Sequence, residues 1–395
     1  MAVRFGIDCL LANPSVWKTK RIGLVTNHAA TTHDLVPSRQ ALQQQQFNIK
    51  KLFSPEHGLD VLGTDGNEMK DGTDSVTGLP VVSLYSTKLA PSGDDLIDLD
   101  IILFDIPDVG CRFYTYLWTL THVMEACAIQ EKKLIILDRP NPVSGNLELA
   151  EGPVLNETQA SFIGRWPMPI RHSCTLGELA LYFNTVRHIH CDLEIIRCEG
   201  WERNSFQPDW GIRFVPTSPA IQSFESMLLY PGLCLLEATN ISEGRGTDDA
   251  FRIAGAPWIN GKAIAGILND MGLDEVIVTP VNFTPTKSKY ANNLCGGLQL
   301  EVRQPDFFQP VSYGLILIRL IKQMYPQSFE WKPYPTMVNP TGKQHLDKLL
   351  GICGSEQLFE LPLPKFIAEI TRLTQCRNWK KEIGPYLLYQ NSALI

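Results

Sequence analysis

The chain has 395 residues, 44% of them hydrophobic and 19% charged, with a formal net charge of −7. That length exceeds what one core usually supports and predicts two domains. The acidic balance excludes a nucleic-acid surface, which wants a basic stripe, and gives no attraction to anionic lipid; no window approaches the ~18 uninterrupted apolar residues of a membrane span.

Ten cysteines are present, none in a C-x-x-C pair. Most lie in apolar settings such as "IIRCEG" and "GLCLLE", which predicts buried, reduced thiols rather than a disulfide framework or a zinc site. The opening stretch is broken by Arg4 and Asp8, with no small-residue cleavage site after it. It does not read as a signal peptide, so a cytoplasmic location is expected; an exported protein lacking its leader is the alternative.

In chain order, the first half alternates apolar β-type runs with helical patterns. Strands are predicted over 21–27, 49–54, 79–85, 100–106, 133–138 and 193–198, and helices over 34–47, 112–130 and 175–188. Pro37 sits near a first turn, where its missing N–H is harmless, and Thr175 with Glu178 fits a capping box. Near-continuous apolar strands separated by helices predict an α/β fold: a Rossmann-like, doubly wound, mostly parallel sheet in the N-terminal domain. Residues 199–222, rich in Trp, Pro and Asn, read as a connection. Beyond them "EVIVTP", "LQLEV", a helix over 312–324 and another near 364–375 predict a smaller α+β C-terminal domain. The expected division is 1–212 and 213–395.

In an open parallel sheet, ligands bind outside the carboxyl ends of the strands. Polar groups collect at that address here: Asn27 and His28, Glu56 and His57, Asp105, Asp108, Arg112, Tyr114 and Tyr116, and Asp138, Arg139 and Asn141. Each has a bland reading. Glu56 and His57 could bond a local turn, Asp105 and Asp108 could cap one, and Arg112 could form a surface ion pair. Their shared rim is what favours a site. Arg112, between a glycine turn and "FYTY", suits an anion clamp opening a helix. His172 stands just ahead of the Thr175 cap. The stretch 237–251 gathers Glu237, Asn240, Glu243, Arg245, Thr247 and Asp248; its "GRG" lacks both GK[ST] and the G-x-G-x-x-G spacing, so there is no nucleotide fingerprint. "GTDGNEMKDGTD" (63–74) is acidic and glycine-rich without EF-hand ligand spacing, and reads as a solvated loop.

Taken together, "SPEHG" (54–58), "FDIPDVGCRFYTY" (104–116), "LDRPNP" (137–142), "EGP" (151–153), "PIRHSCTLGELA" (169–180), "YPGLCLLEATNISEGRGT" (230–247), "GAPW" (255–258) and "YLLY" (386–389) make the chain resemble the bacterial exo-β-N-acetylmuramidases, nearly end to end. It departs from that family's pattern at Ser173 and Ala250, where glycine and proline are usual. The resemblance implies two domains with a cleft between them, no need of a nucleotide, removal of terminal N-acetylmuramic acid from the non-reducing end of peptidoglycan-derived saccharides, and Glu56 as the essential carboxylate; no cofactor or metal is expected.

The residues can be matched to that chemistry. Glycoside cleavage needs an acid for the leaving oxygen and stabilisation of an oxocarbenium-like transition state. Withdrawal of Glu56 from water at the strand mouth would favour the protonated form an acid needs, with His57 orienting it or relaying protons. Glu243, Asp105 and Asp138 are candidates for a second group, and the sugar's own N-acetyl oxygen is another. The lactyl carboxylate of the substrate suits a guanidinium, so Arg112, Arg139 and Arg245 are clamp candidates. Tyr114, Tyr116 and Trp258 are candidates for stacking on sugar faces. The remaining expected substrate contacts are Asn27, Asp105, Asp138, His172 and Thr247. The competing readings are a sugar-binding module without turnover and, on fold class alone, a nucleotide-sugar enzyme.

Overall fold

The computed structural model describes residues 2–13 and 16–390. Seven strands form the first sheet: β1 (Ile22–Thr26), β2 (Ile49–Ser54), β3 (Gly72–Thr73), β4 (Pro80–Ser83), β5 (Ile101–Asp105), β6 (Lys133–Leu137) and β7 (Leu193–Ile196). Their order is β3-β4-β2-β1-β5-β6-β7, and all pair in parallel except β3, which runs antiparallel to β4. The chain leaves β1 toward β2 on one side and returns to β5 on the other. The β1–β5 seam is therefore a switch point, with Thr26 paired to Asp105 at its carboxyl end.

The continuous apolar strands follow from burial on both faces. Val25, Phe53, Ile102, Phe104, Leu134 and Ile136 enter one cluster, while their neighbours Leu24, Leu52, Ile101, Leu103, Ile135 and Leu137 enter another. Period-two alternation thus divides each strand between two cores. Helices α1 (Gly6–Ala12), α2 (Ser38–Gln44), α3 (Gly93–Leu96), α4 (Tyr116–Ile129) and α5 (Leu176–Val186) belong to this half. Helix α2 begins only after Pro37, because Leu35 takes φ +65°. Residues 112–115 form a turn before α4 rather than its first turn. The capping box is present: the Thr175 side chain accepts from the Glu178 N–H, and Glu178 accepts from the Thr175 N–H. Ser173, where the resemblance expects glycine, holds φ +56°, a left-handed backbone that glycine adopts more readily.

The second half carries an antiparallel sheet, order β8-β10-β9, of β8 (Ile253–Ala256), β9 (Val276–Phe283) and β10 (Cys295–Val302). Around it lie α6 (Phe224–Leu233), α7 (Gly261–Asp270), α8 (Pro310–Met324), α9 (His345–Leu350), α10 (Leu363–Thr374) and α11 (Trp379–Ile383). One apolar cluster runs from Val25 and Trp118 through Leu229 and Leu298 to Ile383, so the halves share a core. Among the described residues, no helix is long and apolar enough to cross a membrane.

Candidate active site

A narrow cleft lies between the halves. Its first wall comes from the strand-end loops: Glu56, His57, Asp65, Gly66, Tyr85, Tyr114 and Thr115. The second wall comes from the C-terminal half and includes Glu237, Arg245, Phe251, Tyr334 and His345.

Glu56 follows β2 and is 6% exposed. Its Oε1 accepts from the Gly66 N–H at 2.7 Å and its Oε2 from the Thr115 hydroxyl at 2.7 Å. Burial first, and then neighbouring Glu56, push the Tyr85 phenol well above its ordinary pKa, so it stays protonated beside that carboxylate. His57 takes φ +67° and places Nδ1 2.8 Å from the Gly63 carbonyl. A carbonyl only accepts, so Nδ1 carries the proton and a neutral ring leaves the Nε2 lone pair free.

Across the cleft, Arg245 sits among three carboxylates: Glu237 Oε1 at 2.7 Å, Asp65 Oδ1 at 3.1 Å and Glu243 Oε1 at 3.3 Å. Its guanidinium stacks on the Phe251 ring. Glu237 also contacts His345 Nε2 at 3.2 Å. Burial alone would raise the Glu237 pKa, but Arg245 and His345 outweigh it and hold the carboxyl down to about 2. Glu237 is therefore ionised at neutral pH.

Of the residues expected from sequence, Glu56, His57, Tyr114 and Arg245 line this cleft. The others lie elsewhere, for reasons their contacts give. Glu243 is behind Arg245, buried against Lys289 Nζ at 3.0 Å, and Glu237 is the carboxylate of that stretch that lines the cleft. Arg112 is fully buried and donates to the Pro153, Met168 and Leu349 carbonyls, so it has no face for an anion. Asp138 accepts from Thr175, Gly177 and Tyr389 within the protein. Asn27 caps its own turn through the Ala29 N–H, and Thr247 bonds the Gly244 carbonyl. Tyr116 is buried with its hydroxyl on the Thr217 carbonyl, a carbonyl the Tyr114 hydroxyl shares. His172 packs against Asp108, Nε2 to Oδ2 3.1 Å. Trp258 donates to the Tyr290 hydroxyl, away from the cleft. Asp105 and Arg139 form a two-pronged ion pair at 2.6 and 3.0 Å. Arg139 and Asp108 line a separate, mostly apolar cleft with Phe5, Trp210 and Phe214. The rim thus splits in two, and the Glu56 loop does not share its cleft with Arg112 or Asp138.

The loop of residues 63–74 is not simply solvated. Asp65 and Gly66 line the cleft, because the Met337 N–H donates to the Gly66 carbonyl and Tyr334 donates to Asp65. His345 and Tyr334 had no local signal, since each reaches the site from a distant segment.

Two family models match: exo-β-N-acetylmuramidase NamZ, N-terminal, over residues 22–225 and the C-terminal counterpart over 228–389. The chain belongs to the NamZ family. A relative from Bacillus subtilis (strain 168), named peptidoglycan β-N-acetylmuramidase NamZ, is 41% identical over 331 residues, 83% of this chain and 80% of that protein. Two crystal structures of DUF1343 family proteins from Bacteroides fragilis NCTC 9343 share the fold. One superposes with TM-score 0.86 at 27% identity, covering 98% of this chain and 99% of the other; the second gives 0.76 at 29%, covering 99% and 100%. The candidate cleft draws on both NamZ segments, Glu56 and His57 from the first and Glu237 and Arg245 from the second.

Proposed function

We propose that the chain is an exo-β-N-acetylmuramidase that releases terminal N-acetylmuramic acid from the non-reducing end of peptidoglycan-derived saccharides. The observation that carries this reading is the shared cleft: a buried strand-end carboxylate, Glu56, and a cleft-lining guanidinium, Arg245, in a chain of the NamZ family.

In the proposed reaction, Glu56 in its acid form gives a proton to the glycosidic oxygen as the C1–O bond breaks, and water supplies the hydroxyl that replaces the aglycone. The free Nε2 of His57 is suited to take a proton from that water. Arg245, fixed by ionised Glu237, receives the lactyl carboxylate, with the Tyr334 hydroxyl beside it.

A chromogenic β-N-acetylmuramide tests this. Wild type is expected to release the aglycone, and Glu56→Gln to lose about 10²–10⁴-fold in kcat. Saturable binding by wild type with no release would overturn the hydrolase reading in favour of a saccharide-binding module.

A further inference from the structure

The cleft is closed down in this structure. Its volume is about 70 Å³, far below the ~300–1,000 Å³ of pockets that hold small ligands. Something must move before a sugar enters, and the contacts around Arg245 indicate what.

The three carboxylates on that guanidinium are not equivalent. Glu243 and Glu237 are 1% and 7% exposed and belong to the same stretch of chain as Arg245. Each has a further partner, Lys289 Nζ for Glu243 and His345 Nε2 for Glu237. Asp65 is 26% exposed and arrives from the other half of the molecule, on the loop between β2 and β3. Its second oxygen accepts from the Tyr334 hydroxyl. It is the carboxylate that solvent reaches and that an incoming anion could replace.

The next residue completes the connection. The Gly66 N–H is one of the donors on Glu56, at 2.7 Å. Gly66 needs φ +70°, and a Cβ there would lie 2.8 Å from Thr336 Cγ2. The peptide after Asp65 is therefore pressed between Glu56 and the 334–338 segment, and Asp65 cannot leave Arg245 without disturbing it.

We propose that Asp65 is an internal stand-in for the substrate's carboxylate. When a muramic-type substrate takes its place on Arg245 and Tyr334, the loop withdraws, the cleft opens, and Gly66 releases Glu56 for proton transfer. This deepens the reading above and rests on it. A saccharide without the lactyl group has nothing to exchange for Asp65, so it is rejected in turnover as well as in binding, as in other induced-fit enzymes.

Asp65→Asn keeps the shape of the side chain and removes its charge. Calorimetry with free N-acetylmuramic acid is expected to give about tenfold tighter binding by Asp65→Asn than by wild type. With 4-nitrophenyl glycosides, the ratio of kcat on the muramide to kcat on the glucosaminide is expected to fall about tenfold, through a rise on the glucosaminide. If Asp65→Asn does not fold, Tyr334→Phe loosens the same loop, and the readout is then a rise in kcat on the glucosaminide alone, since the muramide also loses its Tyr334 contact. Equal muramate affinity and an unchanged kcat ratio would overturn the proposal. Release of nitrophenol by wild type alongside that result would leave the hydrolase reading intact. Tighter muramate binding with no release by wild type would keep the stand-in and sink the reaction.

Discussion

Arg112 brings a positive charge into the interior with no carboxylate partner among the described residues. Burial pulls its pKa down to about 10, so it remains charged at neutral pH, held by the carbonyls of Pro153 (2.6 Å), Met168 (2.7 Å) and Leu349 (2.7 Å). The last lies in α9, so one side chain ties the turn after β5 to the C-terminal half. Arg112→Ala strands those carbonyls and opens a cavity. It is expected to cost about 3–5 kcal/mol in denaturant unfolding, with the KM of the residual folded enzyme unchanged. A raised KM at unaltered stability would instead return Arg112 to the role of substrate clamp. Nothing near Arg112 in sequence announces three converging carbonyls, and a guanidinium after a glycine turn reads as an exposed clamp. Glu56 and His57 were legible because both features that mark them, adjacency and a strand mouth, are local. Asp65, Tyr334 and His345 were not, because each gains its meaning from a partner far along the chain.

At the scale of elements, the parallel strands were legible because burial on both faces leaves an unbroken apolar run. Helix α6 was not legible, since it carries Pro231 and Gly232, both poor helix formers, in its last turn. Their value lies in a close helix pair. A Cβ on Gly314 of α8 would lie 2.4 Å from the Gly232 carbonyl oxygen, and one on Gly232 would lie 2.0 Å from the Pro310 carbonyl oxygen. Backbone meets backbone, so no side chain can yield. Alanine in a helix interior ordinarily gains about 0.5–1 kcal/mol over glycine, but here overpacking wins, and Gly314→Ala is expected to destabilise by about 1–3 kcal/mol. Gly266 in α7 supplies the contrast, since nothing lies within 4 Å of its Cβ position, and Gly266→Ala is expected to stabilise by about 0.5–1 kcal/mol. Thermal melts of the two variants should move in opposite directions; the same sign in both would refute the close-packing account.

At the scale of the whole molecule, the end of the described chain returns to the first sheet. The Tyr389 hydroxyl donates to Asp138 Oδ2 at 2.6 Å, the Leu388 N–H donates to Glu178 Oε1 at 3.0 Å, and the Tyr389 ring packs edge-on against Trp201. "YLLY" is thus a fastening between the halves. Burial is the largest influence on Asp138 and pushes its carboxyl up from 3.8 to about 6, while donors from Tyr389, Thr175 and Gly177 pull the other way. The folded state therefore holds this proton more tightly than the unfolded chain. The stability this brings is complete below the unfolded value of 3.8 and is lost as pH rises through about 6. Tyr389 favours the ionised form, so its removal costs most where Asp138 is ionised. Tyr389→Phe is expected to lose about 1.5–3 kcal/mol at about pH 8 and distinctly less at about pH 4.5. Glu237 runs the opposite way, its contribution fading as pH falls from 4.5 through about 2, but variant and wild type share it, so it cancels in their difference. Urea unfolding of both proteins across that range measures the difference directly. A Tyr389→Phe deficit independent of pH would show that the fastening works through packing on Trp201 and not through the carboxylate of Asp138.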